Sequence, residues 1–450
     1  MKARHLAPHV FFRAFRSLKN RNYRLFWFGQ LISLTGTWMQ DVALGWLVLS
    51  LTDSAVALGL TMTIRFLPAL LFSLHGGVLA DRLPKRRTLL MTQSTQFIVA
   101  LALGVLTSTG LITVVIIYVL AGIRGIVDAI EGPTRQAFVP EMVGTADLSN
   151  AVALNSTLFN GARITGPAIA AGVISAFSIA ACFYLNAASF AAVIGGLAAM
   201  RLQELHLMPR PSRDKLLTQL REGLRYARST PGVMVIFLVM AAIGAFGYNF
   251  QTTLPLVTKY VLSAGASTLA LLFSSMGAGS VLAGLVAAYR GRPSQRLLLA
   301  AAGSFVVLLA LVGLSRWRAA TAALLFAAGF TGVLCMTAAN TRLQLQVPWN
   351  LRGRVMGIYV LLFVGTTPIG ALLCGFLADH VGGGGATGVR ATIVITAGLC
   401  ALGVIAALAY ARRTAAVTSD AALPEPEISE KARQRAAVST ADLEKDPGRA

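Results

Sequence analysis

Apolar runs close to the ~20 residues a helix needs to cross a lipid bilayer recur along most of this chain of 450 residues. No other feature limits the fold as strongly. Lipid offers a backbone N–H or C=O no partner, and a helix satisfies its own backbone within a single segment. Spans are predicted near 25–50, 55–80, 88–108, 111–138, 147–175, 177–200, 232–261, 267–289, 295–315, 319–345, 353–379 and 389–411. Composition agrees. Only 13% of residues are charged, against roughly a quarter in soluble domains, and mean hydropathy is +0.69. The expected fold is an all-α integral membrane protein with twelve transmembrane helices in two six-helix halves.

The formal net charge of +21 would suggest nucleic acid in a soluble protein. Its distribution points to topology instead. With a cytoplasmic N-terminus, 32 of the 39 lysines and arginines fall on the cytoplasmic side. Lys259, Arg316, Arg318 and Arg390 fall outside, and Arg65, Arg124 and Arg163 lie within spans. This is the positive-inside pattern. Both termini are therefore expected in the cytoplasm, beneath a bacterial inner membrane, with no nucleic-acid partner.

Residues 1–24 are basic, with no apolar core or cleavage site, and do not resemble a cleaved signal. Residues 25–200 form the first half, 201–231 a central loop, 232–411 the second half, and 412–450 a polar tail expected to be disordered. In the central loop Leu216, Leu217, Leu220 and Leu224 recur at helical spacing among Lys and Arg. They predict an amphipathic helix on the cytoplasmic surface.

The halves repeat. "GVLADRLPKRR" from Gly77 is matched by "GLVAAYRGRPS" from Gly284, and "TRQAFVP" from Thr134 by "TRLQLQVP" from Thr341, both at an offset of 207. Pro167 has a counterpart in Pro368, at an offset of 201. Two such repeats suit a transporter whose site lies between them. Cys182, Cys335, Cys374 and Cys400 sit in apolar runs without ligand spacing and serve as small packing residues. No metal or cofactor is expected. No G-x-x-x-x-G-K-[ST] loop is present, so the energy source is an ion gradient, protons first and sodium the alternative. No nucleophile–base constellation suggests an enzyme.

Charges inside spans are costly and face a cavity or a partner. Arg124, Asp128, Glu131 and Arg135 follow one another at spacings of 4, 3 and 4, which puts them on one face of span 4. They form either a self-neutralised packing ladder or a proton relay. Asp41, in "TWMQDVALGW", lies roughly 25 Å from the inner end of span 1 by helical rise. An acid in a partly apolar cavity suits a proton carrier; the alternative is structural pairing with Arg65 or Arg163. Trp38 and Trp46 flank it. In span 7, "GAFGYNFQTTLPL" offers Phe246, Tyr248, Asn249, Phe250 and Gln251 as a cavity wall for an amphiphilic cargo, or as packing around a proline bend. From Gly223 to Ala378 there is no Asp or Glu, so an embedded carboxylate that carries a proton belongs to the first half.

Two motifs carry a resemblance. "GGVLADRLPKRRTLL", with Gly77, Asp81, Arg82, Lys85 and Arg86, resembles the loop signature between spans 2 and 3 of the major facilitator superfamily, with Pro84 where that pattern has glycine. Its glycine permits close helix approach, its Asp can cap a helix, and its cations would face lipid phosphate. "GARITGPAIAAG", with Gly161, Arg163, Gly166, Pro167 and Gly172, resembles the superfamily's exporter signature in span 5. Arg124 resembles the functional arginine of its span-4 signature, although Val127 and Asp128 depart from it. Longer stretches are similar to the bacterial branch that includes the enterobactin exporter and related drug and siderophore efflux proteins. The resemblance covers roughly residues 20–410. It implies a twelve-helix fold, a central cavity and alternating access, and it does not supply a substrate. The expected activity is proton-coupled antiport of an amphiphilic small molecule such as a drug, siderophore or secondary metabolite, by a monomer among membrane lipids. The alternatives are uptake, lipid flipping, or a non-transporting sensor.

Overall fold

The computed structural model describes residues 15–206 and 216–414, and within these the side chains at 73–82, 216–220 and a few single positions lie outside the description. The first half contains α1 (Arg21–Thr52), α2 (Ala55–Arg82), α3 (Lys85–Ser108), α4 (Val114–Val143), α5 (Leu148–Ala176) and α6 (Ile179–Ala198). A connecting helix, α7 (Leu216–Ser229), leads to α8 (Pro231–Ala242), α9 (Phe250–Leu256), α10 (Ala266–Arg290), α11 (Gln295–Leu314), α12 (Arg318–Gln346), α13 (Trp349–Phe363), α14 (Thr367–His380) and α15 (Gly385–Arg413). No strand occurs among the described residues.

Among those residues nine helical stretches are long and apolar enough to cross a membrane. Helices α1, α4 and α5 are also long, at 32, 30 and 29 residues, but are more polar. They carry Asp41, the span-4 charges and Arg163. Ile98, Val119, Leu285, Val307 and Leu402 stand exposed on helix faces. A continuous apolar exterior of this kind belongs in lipid rather than water, and the protein is a multi-pass membrane protein.

Two predicted spans are broken. The stretch predicted at 232–261 turns through a π-helical segment at Ile243–Gly247, and a second at Val257–Val261. The alternative reading of this stretch is packing around a proline bend; Pro255 lies within α9, and the main break lies ahead of it. There Asn249 Nδ2 donates to Ala245 O (2.9 Å), taking up a carbonyl that the irregular turn frees. The stretch predicted at 353–379 divides into α13 and α14 at Val364–Thr366. The two breaks meet: a Cβ on Gly370 would fall 1.9 Å from Ala245 O, and one on Gly244 2.4 Å from Phe363 O. Non-helical backbone at this depth persists because it is buried in protein and lines a cavity.

The halves join along α2 against α14 and α5 against α10. Gly59 and Gly375 face each other, each with its Cβ direction 2.6 Å from a backbone oxygen of the opposite helix. Small residues let backbones approach where apolar burial supplies no drive. Helix α7 packs against α13. Glu222 pairs with Arg354, and Tyr226 donates to Gln346 O (3.0 Å). Part of its surface is thus held by the second half; the side chains of Leu216, Leu217 and Leu220 lie outside the described residues.

Candidate functional site

Helix α4 lies against α2 at Gly125, whose Cβ would sit 2.2 Å from Arg65 O. That contact brings two arginines to one carboxylate. Asp41 Oδ1 on α1 is 2.7 Å from Arg65 Nη1 and 2.8 Å from Arg124 Nη1. Asp128 Oδ2 lies 4.0 Å from both guanidinium groups. Two cations and two anions balance, as buried charge requires. Asp41, Arg65 and Arg124 are buried, while the Asp128 side chain is 39% exposed. One acid of the cluster is therefore dry and the other wet. Gln251 Nε2 of α9 donates to Asp41 Oδ2 (3.4 Å), tying the cluster to the second half.

Toward the end of the bundle that holds Lys85 and Arg135, the stripe continues. Gln96 Nε2 donates to Asp128 Oδ1 (2.7 Å) and Gln93 Nε2 to Glu131 Oε1 (2.9 Å). Arg135 Nη1 donates to Gln30 Oε1 (3.1 Å). Asp128, Glu131 and Arg135 line a polar cavity of about 170 Å³ with Gln30, Ser33 and Thr37. Arg124 and Asp128 are thus paired, as in a packing ladder, and Asp128 and Glu131 both border the cavity. Gln93 and Gln96 were not singled out in the sequence. Their signal was two amides, three residues apart, in the polar cluster "TQSTQ" of a predicted span.

Between the halves lies a second cavity, of about 200 Å³. Trp38, Tyr248, Asn249, Phe250 and Gln251, expected as part of a cargo-cavity wall, line it. Three other residues assigned to it are elsewhere. Arg65 is held by Asp41 and lies over the Phe66 ring (4.9 Å); Trp46 and Phe246 pack against the apolar core. Helical rotation decides this: Trp46 is eight residues from Trp38, just over two turns, and faces different neighbours. Arg163, placed by the sequence in the exporter-type motif, lines the cavity instead, with Met62, Phe66, Phe273, Met276 and Phe363. Its guanidinium carbon lies 5.0 Å from the Tyr248 ring centroid and 6.0 Å from that of Trp38. The apolar liners gave no sequence signal, because they match core residues in type and period.

Several of the remaining motif residues hold helices together. A Cβ on Gly166 would meet Trp38 Cβ at 2.5 Å and Thr35 O at 2.8 Å, so this glycine lets α5, which contains Pro167, lie on α1. Gly161 and Gly172 have no neighbour within 4 Å of that position. Lys85 pairs with Glu141 (2.7 Å). Arg86 donates to Leu197 O (2.6 Å) and Ala198 O (2.9 Å) at the end of α6. These two cations were expected to face lipid phosphate; they are committed to protein, where Arg86 satisfies helix-end carbonyls. Gly77, Asp81 and Arg82 fall on residues whose side chains lie outside the described set.

At the opposite end Asp379 of α14 reaches the start of α2. It accepts from Ser54 Oγ (2.8 Å), Ala55 N (3.0 Å) and Val56 N (2.9 Å). It serves as a helix cap supplied by the other half. Beside it Lys259 pairs with Asp53 (2.8 Å) and Tyr260 OH donates to Asp53 Oδ1 (2.9 Å). The sequence marked Asp379 only as the end of a stretch without acids. The latch was invisible there because its partners lie 323 to 325 residues away.

The family profile described as transmembrane secretion effector matches residues 13–444. The chain is 29% identical over 266 residues to the staphyloferrin A transporter of Staphylococcus aureus, covering 58% of this chain and 66% of that one. It is 26% identical over 391 residues to the multidrug efflux pump Tap of Mycolicibacterium fortuitum, covering 84% and 93%. A solved structure of an autoinhibited POT family peptide transporter superposes with a TM-score of 0.69 at 13% identity, covering 87% of this chain and 97% of that one. An inward-facing, unoccupied bacterial homologue of the lysosomal transporter Spinster gives 0.67 at 13%, with coverage of 87% and 97%. At such identities the structures speak for the fold alone.

Proposed function

This chain belongs to the transmembrane secretion effectors of the major facilitator superfamily of transporters, and we propose that it is a proton-driven exporter of an amphiphilic small molecule. In this reading twelve spans cross a bacterial inner membrane, both termini are cytoplasmic, and the monomer works by alternating access. The observation that carries it is the placing of Asp41 and Asp128 between Arg65 and Arg124. The wet acid borders the polar cavity, and the dry acid touches Gln251 of the cargo cavity wall. A proton entering at Asp128 upsets the charge balance of the cluster. If it passes to Asp41, the carboxylate loses its hold on both arginines and on Gln251, and the halves are freed to rearrange. Relatives that are named as an efflux pump and a siderophore transporter support movement of a small molecule.

The test uses inverted membrane vesicles with an acid interior and a panel of anionic, neutral and cationic fluorescent amphiphiles. The wild-type protein accumulates at least one of them uphill. The triple variant Asp41→Asn, Asp128→Asn, Glu131→Gln, present at comparable level, does not, and retains at most downhill equilibration. Uphill accumulation by the triple variant would remove these carboxylates from coupling. Movement of the probe out of inverted vesicles would mark uptake instead of export.

A further inference from the structure

Four buried polar atoms without hydrogen-bond partners belong to residues that line the cavity between the halves: Arg163 Nη2, Tyr248 OH, Asn249 Oδ1 and Gln251 Oε1. A buried polar group left unpaired is costly, because it has lost its water and gained no partner. Four of them around one cavity describe what is missing from it. The two amides are fixed in orientation, since Asn249 donates through Nδ2 to Ala245 O and Gln251 through Nε2 to Asp41. Their free oxygens therefore ask for donors. Arg163 offers N–H groups and a full positive charge, and Tyr248 offers a hydroxyl.

The charge is unmatched. Arg65 and Arg124 share Asp41 and Asp128, but Arg163 is within salt-bridge distance of no carboxylate among the described residues, and no acid lines the cavity. It is 7% exposed and lies beside the rings of Tyr248 and Trp38. An embedded charge at this depth is expensive unless something pairs it. Apart from Thr252 and Thr367, the rest of the lining is aromatic, methionine and aliphatic.

We infer that the cargo is an organic anion: a flat, largely apolar body with a carboxylate or similar oxyanion that pairs with Arg163, and with hydroxyl or N–H donors for Asn249 and Gln251. This rests on the export reading and narrows its cargo. The protein is an anion-selective carrier whose counter-charge comes from the first half and whose donor-seeking amides come from the second. Because Gln251 also touches Asp41, a cargo donor on Gln251 sits one side chain from the proton cluster.

The experiment measures binding to the full chain purified in uncharged detergent, free of anionic lipid. The probes are 7-hydroxycoumarin-3-carboxylate and the matching 3-carboxamide, which differ in charge and little in shape. The wild-type protein is expected to bind the acid at least tenfold more tightly than the amide. Arg163→Gln is expected to reduce that ratio to about one, and Arg163→Lys to keep part of it. Equal affinity for the two probes in the wild-type protein, or no binding of either, overturns the inference without any variant having to fold. A ratio unchanged by Arg163→Gln overturns the role of Arg163. Flux is scored separately in proteoliposomes. If the acid is preferred and lost with Arg163 yet never moves uphill, the export reading fails and the ligand class stands.

Discussion

Helices α2 and α4 close on each other at Gly125, whose Cβ would lie 2.2 Å from Arg65 O; in the second half α10 and α12 close at Gly329, whose Cβ would lie 2.0 Å from Met276 O. The packing device is the same. The residues around it are not. At the repeat offset of 207, Asp41 corresponds to Tyr248, Arg65 to Leu272, Arg124 to Thr331, Asp128 to Cys335 and Glu131 to Ala338. These five charged positions of the first half are neutral in the second, whereas Arg135 keeps its charge in Arg342. The helices differ too. Helix α1 runs unbroken past Asp41, while its counterpart turns through a π segment just before Tyr248. The difference teaches a division of labour on one scaffold. Buried charges need fixed geometry, because a displaced partner leaves an uncompensated ion. An aromatic and amide wall tolerates bending, because its contacts are short-ranged and individually small.

The sharpest way to break this comparison is to remove one group from each half. Asp41→Asn leaves Arg65 and Arg124 sharing Asp128 alone, and breaking a buried pair costs about 3–5 kcal/mol. Tyr248→Phe removes one buried hydroxyl with no partner and should leave stability unchanged or raise it, by at most about 1–3 kcal/mol. Thermal unfolding of the purified variants measures both. Adding Arg65→Gln to Asp41→Asn should recover part of the loss, since one orphaned cation goes with it. Similar small changes at Asp41 and Tyr248 would mean the first half does not depend on its charges.

Next come the paired glycines. Gly125→Ala and Gly329→Ala each force a methyl against a backbone oxygen, an overpacking cost of about 1–3 kcal/mol. If the scaffold is shared, the two losses should agree closely. Gly161→Ala, with nothing within 4 Å, should instead be neutral or gain up to about 1 kcal/mol from helix propensity. A large loss at one paired glycine and none at the other would end the claim of a common packing rule.

The latch between the halves should respond more weakly. Asp379→Asn removes the charge that caps α2, worth about 0.5–2 kcal/mol. The expected result is a larger population with that end open. Spin labels at Leu111 and Trp317, both exposed, report it as a longer distance component. No change in the distribution would show that helix packing alone keeps the halves together.

The smallest effect concerns pH. Lys259 and Tyr260 hold the Asp53 carboxyl below its ordinary value. A lowered group contributes above its ordinary value, near ~3.9 for Asp, and loses that contribution as pH falls through the lowered one. The Asp53 contact should therefore add no pH dependence to the label distances between pH 8 and 5. In Lys259→Gln the Asp53 carboxyl should titrate closer to its ordinary range. A wild-type change in that window that disappears with Asp53→Asn would contradict the assignment.

Much of this was legible in the sequence. Long apolar runs allowed only a membrane helix bundle, since lipid leaves a backbone no other partner. The 207-residue repeat announced two halves, and helical spacing put Arg124, Asp128, Glu131 and Arg135 on one face. These properties depend on residue type and on near neighbours along one helix. Tertiary structure decided the rest. It chose Arg65 and Arg124, not Arg163, as partners of Asp41, and left Arg163 beside the cavity. It turned Trp46 and Phe246 into the core, broke two spans, and carried Asp379 across to Ser54. Each of these depends on the rotation and approach of helices far apart in the chain. Those are set by where glycines let backbones meet, which a linear sequence does not display.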